Sequence, residues 1–251
     1  MLSQFKKLGP KSGILTLLRG FLDKHFYLVM ALLCVAIKVS AVLHPLDDAD
    51  YDTPFHPATS RPLILWFHNA AFSAWLSFFV FQSALVRTRR VNWHRFLGWF
   101  GAALGTAMVP IGIATAIVKD RIGSIDVSKS DVEAFLIVDL YQVLAFGLLF
   151  ALAIWWREMP EIHRRLIFIA TCGLLANAFS AFGLVLSQHY FFACVDLLIF
   201  LGVLRDLIVD QRVHKVYFVT LPALIGFQAF AAYTWLNSSA WWMRIAQSIV
   251  E

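Results

Sequence analysis

Lys38, His68, Asp139 and Asp196 each sit inside a long apolar run of the sequence. An ionised side chain at the centre of a membrane helix costs about 2.5–3.5 kcal/mol on insertion scales, so each such residue asks for a partner or a role. Counted from the nearer ends of their runs, all four fall about 7–10 Å below the same boundary, at 1.5 Å rise per residue. One lysine, one histidine and two aspartates from four helices thus share a layer, with Asn69, Gln142 and Asn177 as further candidates for ligand contact. Two chemistries fit. The layer can be a proton or ion relay, or the polar floor of a small-molecule pocket open to the outside. Alternatively His68, Asp139 and Asp196 bind a divalent metal, because an imidazole with two carboxylates suits zinc, manganese or iron. The plain alternative is that Lys38 snorkels to the headgroups while the aspartates cap or pair locally.

A second set lies at the opposite boundary. "VNWHRFLGWFG", "EIHRRLIF" and "RVHKVYFV" each open an apolar run with a histidine followed by a base: His94-Arg95, His163-Arg164 and His214-Lys215. Histidine ligates metals and titrates near neutrality, so His94, His163 and His214 are candidates for a divalent metal, or two of them for a haem b. Glu158, Glu161, Asp206 and Asp210 are near enough in sequence to orient imidazoles. No local ligand motif such as HxxxH occurs, and a histidine beside Arg or Lys also suits a headgroup anchor, as Trp93 and Trp99 do. A third group, His44, Asp47, Asp48, Asp50, Asp52 and His56, has ligand types at close spacing; weak cation binding and a solvated acidic loop are the two readings.

The elements that must carry these residues follow from composition. Of 251 residues, 60% are hydrophobic and 15% charged, against about half and a quarter in soluble domains, so most of the chain faces lipid or other helices. About 20 apolar residues span a bilayer core. Seven windows qualify: 26–44, 62–86, 96–118, 134–156, 165–187, 190–209 and 215–236. The apolar runs are continuous, which excludes a strand barrel. The expected fold is all-α, a polytopic seven-helix bundle forming a single domain over 1–251. An interfacial amphipathic segment is expected over 1–24, with a short helix at Ile14–Phe21 after a break at Pro10 and Gly13. A second interfacial segment is expected over 237–251.

Lys and Arg cluster at the N-terminus (Lys6, Lys7, Lys11, Arg19, Lys24) and after spans two, four and six (Arg87, Arg89, Arg90, Arg95; Arg157, Arg164, Arg165; Arg205, Arg212, Lys215). The positive-inside rule predicts a cytoplasmic N-terminus and an external C-terminus. The net charge of +5 is spent on these turns, without the basic surface and interleaved aromatics of a nucleic-acid binder. Cys34, Cys172 and Cys194 lie in apolar runs and read as small core residues. GxGxxG, Walker A, GxSxG and HExxH motifs are absent, so no reaction class is assigned. The body of span seven, "VYFVTLPALIGFQAFAAYTWL" after Lys215, has no lysine for a retinal Schiff base.

At "HRFLGWFGAAL" and "EIHRRLIFIAT" the chain resembles a loose group of bacterial multi-pass membrane proteins whose helices begin His-Arg-x-Leu-Gly. The likeness extends over roughly 62–220, through His68, Gln82, Asp196, Asp206 and His214. The resemblance implies a bacterial inner-membrane location and no particular activity. A more distant similarity is to b561-type membrane cytochromes, which hold haem through helix-end histidines; this chain lacks their paired histidines deep in two facing helices. The expected role is binding or translocation of a small molecule, proton or ion. The alternatives are a metal or haem redox enzyme and an accessory subunit that meets other membrane subunits.

Overall fold

The computed structural model describes residues 10–43, 62–122, 129–180 and 190–250, and no strand occurs among them. The helices are α1 (Pro10–Leu43), α2 (Leu63–Arg87), α3 (Val91–Ile122), α4 (Lys129–Trp155), α5 (Pro160–Gly173), α6 (Ala176–Ser180), α7 (Phe191–Val209), α8 (Lys215–Leu236) and α9 (Ala240–Val250). Six stretches are long and apolar enough to cross a membrane: α1 from Gly13, α2, α3, α4 from Ser130, α5 continued through α6, and α8. The other long helix, α7, has 19 residues but carries Asp196, Arg205 and Asp206. The described residues are therefore helical and fit a multi-pass membrane protein, with six stretches that meet the length and apolarity of a span where seven are expected.

Helix α4 is the hub, packed against α3, α5, α8 and α9, while α2 lies between α1 and α3. The core between them is aromatic and aliphatic. Trp75 meets the rings of Phe146 and Phe150 edge-on, and its indole N–H donates to Thr171 Oγ1 at 3.2 Å. Large apolar side chains also point outward, among them Phe96, Phe100, Leu148 and Phe218, each more than 60% exposed. An apolar exterior on this scale does not suit water and suits lipid.

Helix α3 shows why these helices sit so close. Its buried face runs Gly101, Gly105, Met108, Gly112, Ala116, Asp120, a three- and four-residue rhythm that places them all on one side. A Cβ at Gly105 would lie 2.5 Å from the Phe150 ring, and one at Gly112 would lie 2.7 Å from Val143. Small residues that admit a neighbour's side chains are the usual means of packing membrane helices, where lipid gives little hydrophobic drive.

Three expectations change. Residues 10–24 do not form a separate interfacial helix: α1 is continuous over 34 residues. Pro10 stands at the first helical position, where its missing N–H costs no bond, and Gly13 and Gly20 lower helix propensity without ending it. Helix α3 extends past the expected limit of 118 to Ile122, bringing Lys119 and Asp120 into the helix. The fifth span pauses after Gly173 before α6 resumes at Ala176. At the C-terminus, α9 docks on α4 and α3. Trp242 Nε1 donates to the Glu133 carbonyl at 3.2 Å, and Gln247 Nε2 donates to Glu133 Oε2 at 3.1 Å.

Candidate functional site

The layer expected near the outer ends divides into two groups. His68 on α2 stacks on Phe72, with centroids 4.1 Å apart, and the charges acting on it come from Lys38 on α1 and Lys119 on α3. Asp139 on α4 is 3.8 Å from Lys119 Nζ. The second group lies between α4, α6, α7 and α8. Gln228 Nε2 donates to Asp196 Oδ1 at 3.1 Å, and Gln142 Nε2 donates to Asn177 Oδ1 at 3.3 Å. Gln142 and Gln228 line a cavity of about 20 Å³ beside Tyr141. That space holds about one water, which needs at least some 10–15 Å³ by the same kind of measure, and no substrate. Asn69 is half-buried in the second turn of α2.

Lys119 was missed because the third apolar window ends at 118. Asp120, 4% exposed, was missed for the same reason. The signal was present, since Asp120 continues the rhythm of Gly112 and Ala116. Residues 44–61, with the acidic group from His44 to His56, lie outside the described residues.

At the opposite ends, two of the three histidines meet. The rings of His94 and His163 are 6.4 Å apart at an angle of 76°. His163 Nδ1 lies 2.9 Å from the Ala153 carbonyl. A carbonyl only accepts, so His163 carries its proton on Nδ1 and satisfies one of the orphan carbonyls at the end of α4. His94 Nδ1 and both amide atoms of the adjacent Gln82 are buried without a hydrogen-bond partner among the described residues. His214 does different work. Its Nδ1 accepts from the Val216 N–H at 3.2 Å and so caps α8. Among the described residues, no three His, Cys, Asp or Glu side chains converge to hold a metal ion.

The densest polar cluster is one that sequence reasoning dispersed among topology charges. Arg165, Arg205 and Asp206 are 1%, 2% and 0% exposed. Arg165 grips Asp206 with two parallel bonds, Nε to Oδ2 at 2.9 Å and Nη2 to Oδ1 at 2.7 Å. Asp206 also accepts from Arg205 Nη1 at 3.0 Å and from the His214 backbone N–H at 3.2 Å. Its carboxylate, with about four lone-pair sites, is saturated. Arg165 Nη1 reaches Glu161 Oε2 at 2.7 Å, while Arg205 reaches Asp210 Oδ2 at 2.6 Å and Asp23 Oδ1 at 3.1 Å. One knot thus joins α1, α5, α7 and the start of α8. Tyr217 packs beneath it, its hydroxyl 2.3 Å from where a Cβ on Gly202 would stand.

Partial burial, and after it the Arg165 guanidinium, pull the His214 imidazole below its ordinary value, against Asp206 and Glu161. The unfolded chain therefore takes up a proton first as pH falls, near 6.5. The His214 contribution to stability is full above that pH and is lost as pH falls below it. His214→Asn keeps a good cap but cannot titrate. Its melting midpoint in detergent is expected to fall less than that of the wild type between pH 7.5 and 5.5. Parallel curves for the two proteins would contradict this.

Comparison with protein-family models, with curated proteins and with solved structures found no match to this chain.

Proposed function

We propose that the chain is a seven-span protein of a bacterial inner membrane, N-terminus inside and C-terminus outside, whose outer polar layer around His68 binds or passes a small molecule, proton or ion. The orientation rests on the Lys and Arg of the N-terminal segment and of alternate turns. Counting α7 as the seventh span is supported by its length and by the pairing of Arg205 and Asp206, which leaves neither charge without a counter-ion.

One observation carries the site. His68 Nδ1 is buried and has no hydrogen-bond partner among the described residues, while the stack on Phe72 fixes the ring. A buried acceptor or donor left unmet costs about 1–3 kcal/mol, which a bound ligand or a proton relay through that nitrogen recovers. Lys38 and Lys119 disfavour a second cation beside the ring. The reading therefore favours a small anion, a neutral polar molecule or a proton over the divalent metal also considered for His68, Asp139 and Asp196. Purified protein melted with acetate, succinate or inorganic phosphate tests the anion. A ligand at a hundredfold its dissociation constant adds about 2.7 kcal/mol, so the midpoint should rise by several degrees in the wild type and not in His68→Ala. Dye-loaded proteoliposomes test the proton. If none of the three anions acts and both proteins pass protons equally, the reading fails.

The redox alternative has the His94–His163 pair in its favour. A haem b held there would give a Soret band that disappears in His94→Ala and in His163→Ala.

A further inference from the structure

Between α3 and α4, on the side away from the core, runs a groove of about 770 Å³. That volume lies within the range of about 300–1,000 Å³ typical of small-molecule sites, but the groove opens sideways along the helices where lipid would lie. Ala102, Thr106, Gly147 and Ala151 offer little side chain and so leave the space between the helices open, and Trp155 and Arg157 stand at one end. From Leu144 at the far end to Arg157 the chain advances thirteen residues, about 20 Å at helical rise. Half of a hydrocarbon core about 30 Å thick is about 15 Å. The groove therefore reaches from one headgroup level to the middle of the membrane, the length of a single acyl chain.

Charge at the mouth selects the headgroup. Arg157 is exposed in the turn after α4, and its guanidinium lies 5.7 Å from the Trp99 ring. Among the described residues it has no carboxylate partner. Trp99 and Trp155 are 68% and 80% exposed, as interfacial aromatics are. The α2–α3 turn with Arg89 and Arg90 ends at the same boundary, where Glu161 is engaged by Arg164 and Arg165 and not by Arg157.

We propose that this groove is a binding site for an acidic phospholipid of the adjoining leaflet, one acyl chain lying over Ala102, Thr106, Gly147 and Ala151 and the phosphate paired with Arg157. The site is separate from the His68 layer, at the other end of the bundle.

Native mass spectrometry of the detergent-purified protein, with phosphatidylglycerol or phosphatidylcholine added, reads the occupancy. A basic residue near an anionic surface contributes about 1 kcal/mol, so Arg157→Ala should lose about fivefold in phosphatidylglycerol retention and less in phosphatidylcholine, whose choline already offsets the phosphate charge. Ala151 is exposed to the groove, so Ala151→Trp should fill it and reduce retention of both lipids, with helix content by circular dichroism held at the wild-type level. An unchanged lipid ratio in Arg157→Ala overturns the proposal. So does undiminished retention in a folded Ala151→Trp. If Ala151→Trp instead splits a dimer that carries no lipid, the groove seats a second copy and the proposal is again wrong.

Discussion

Asp206→Asn should lose about 3–5 kcal/mol, the usual consequence of breaking a buried ion pair by removing one partner. Whole domains are stable by only about 5–15 kcal/mol, so the variant is expected to aggregate or to melt far below the wild type in fluorescence-detected size exclusion. The reason lies in what remains. Arg165 and Arg205 are 1% and 2% exposed, and both donate to this carboxylate. An amide in its place carries no charge and turns an NH2 toward donors that have no use for it. Asp23→Asn is the matched control: that carboxylate touches the same Arg205 but its side chain is 59% exposed, and exposed pairs contribute about 0–1 kcal/mol. Equal midpoints for the two variants would mean that the knot is not what holds these helix ends.

The second large effect is expected at Gly105. A Cβ there meets three atoms of the Phe150 ring between 2.5 and 2.8 Å. Phe150 cannot withdraw easily, since it stacks on Phe146 at 5.6 Å and abuts Trp75 at 5.5 Å. Overpacking of this kind costs about 1–3 kcal/mol, and Gly105→Leu should exceed Gly105→Ala. Gly98, two turns earlier, has no atom within 4 Å of its would-be Cβ, so Gly98→Ala should be neutral or slightly stabilising. Because α3 carries His94 at one end and Lys119 at the other, a displaced α3 should also disturb both polar groups. A Gly105→Leu protein that melts like Gly98→Ala would rule out the close α3–α4 contact.

What the sequence made legible was the part written in local periodicity. The apolar runs and alternating basic turns predict a helical multi-pass protein, and the described residues are helical. The apolar threshold of a window also set the errors: it stopped span three before Lys119, where the helix continues because its buried face continues to Asp120. Arg164 and Arg165 show a different limit. As neighbours they point about 100° apart on α5, and nothing local says which turns inward. That is decided by Asp206, 41 residues later. His214 had the look of a ligand from its neighbours alone, yet its ring is committed to the Val216 N–H. The shared layer around His68 was an expectation from counting residues, which gives depth and no pairing. Which members face each other depends on helix rotation and neighbour order, so Asp196 came to lie with Gln228 and Asp139 with Lys119.

The knot at Asp206 also has a history in time. Chains are synthesised at about 5–20 residues per second, so Arg165 exists for about 2–8 s before its chief partner is made. Helices form within about a microsecond, and α5 is therefore complete long before the knot can close. Throughout that interval Arg165 has one partner already on its own helix, Glu161, one turn earlier. Glu161 contributes little to the finished knot beside Asp206, but it is the counter-ion that the half-made protein has.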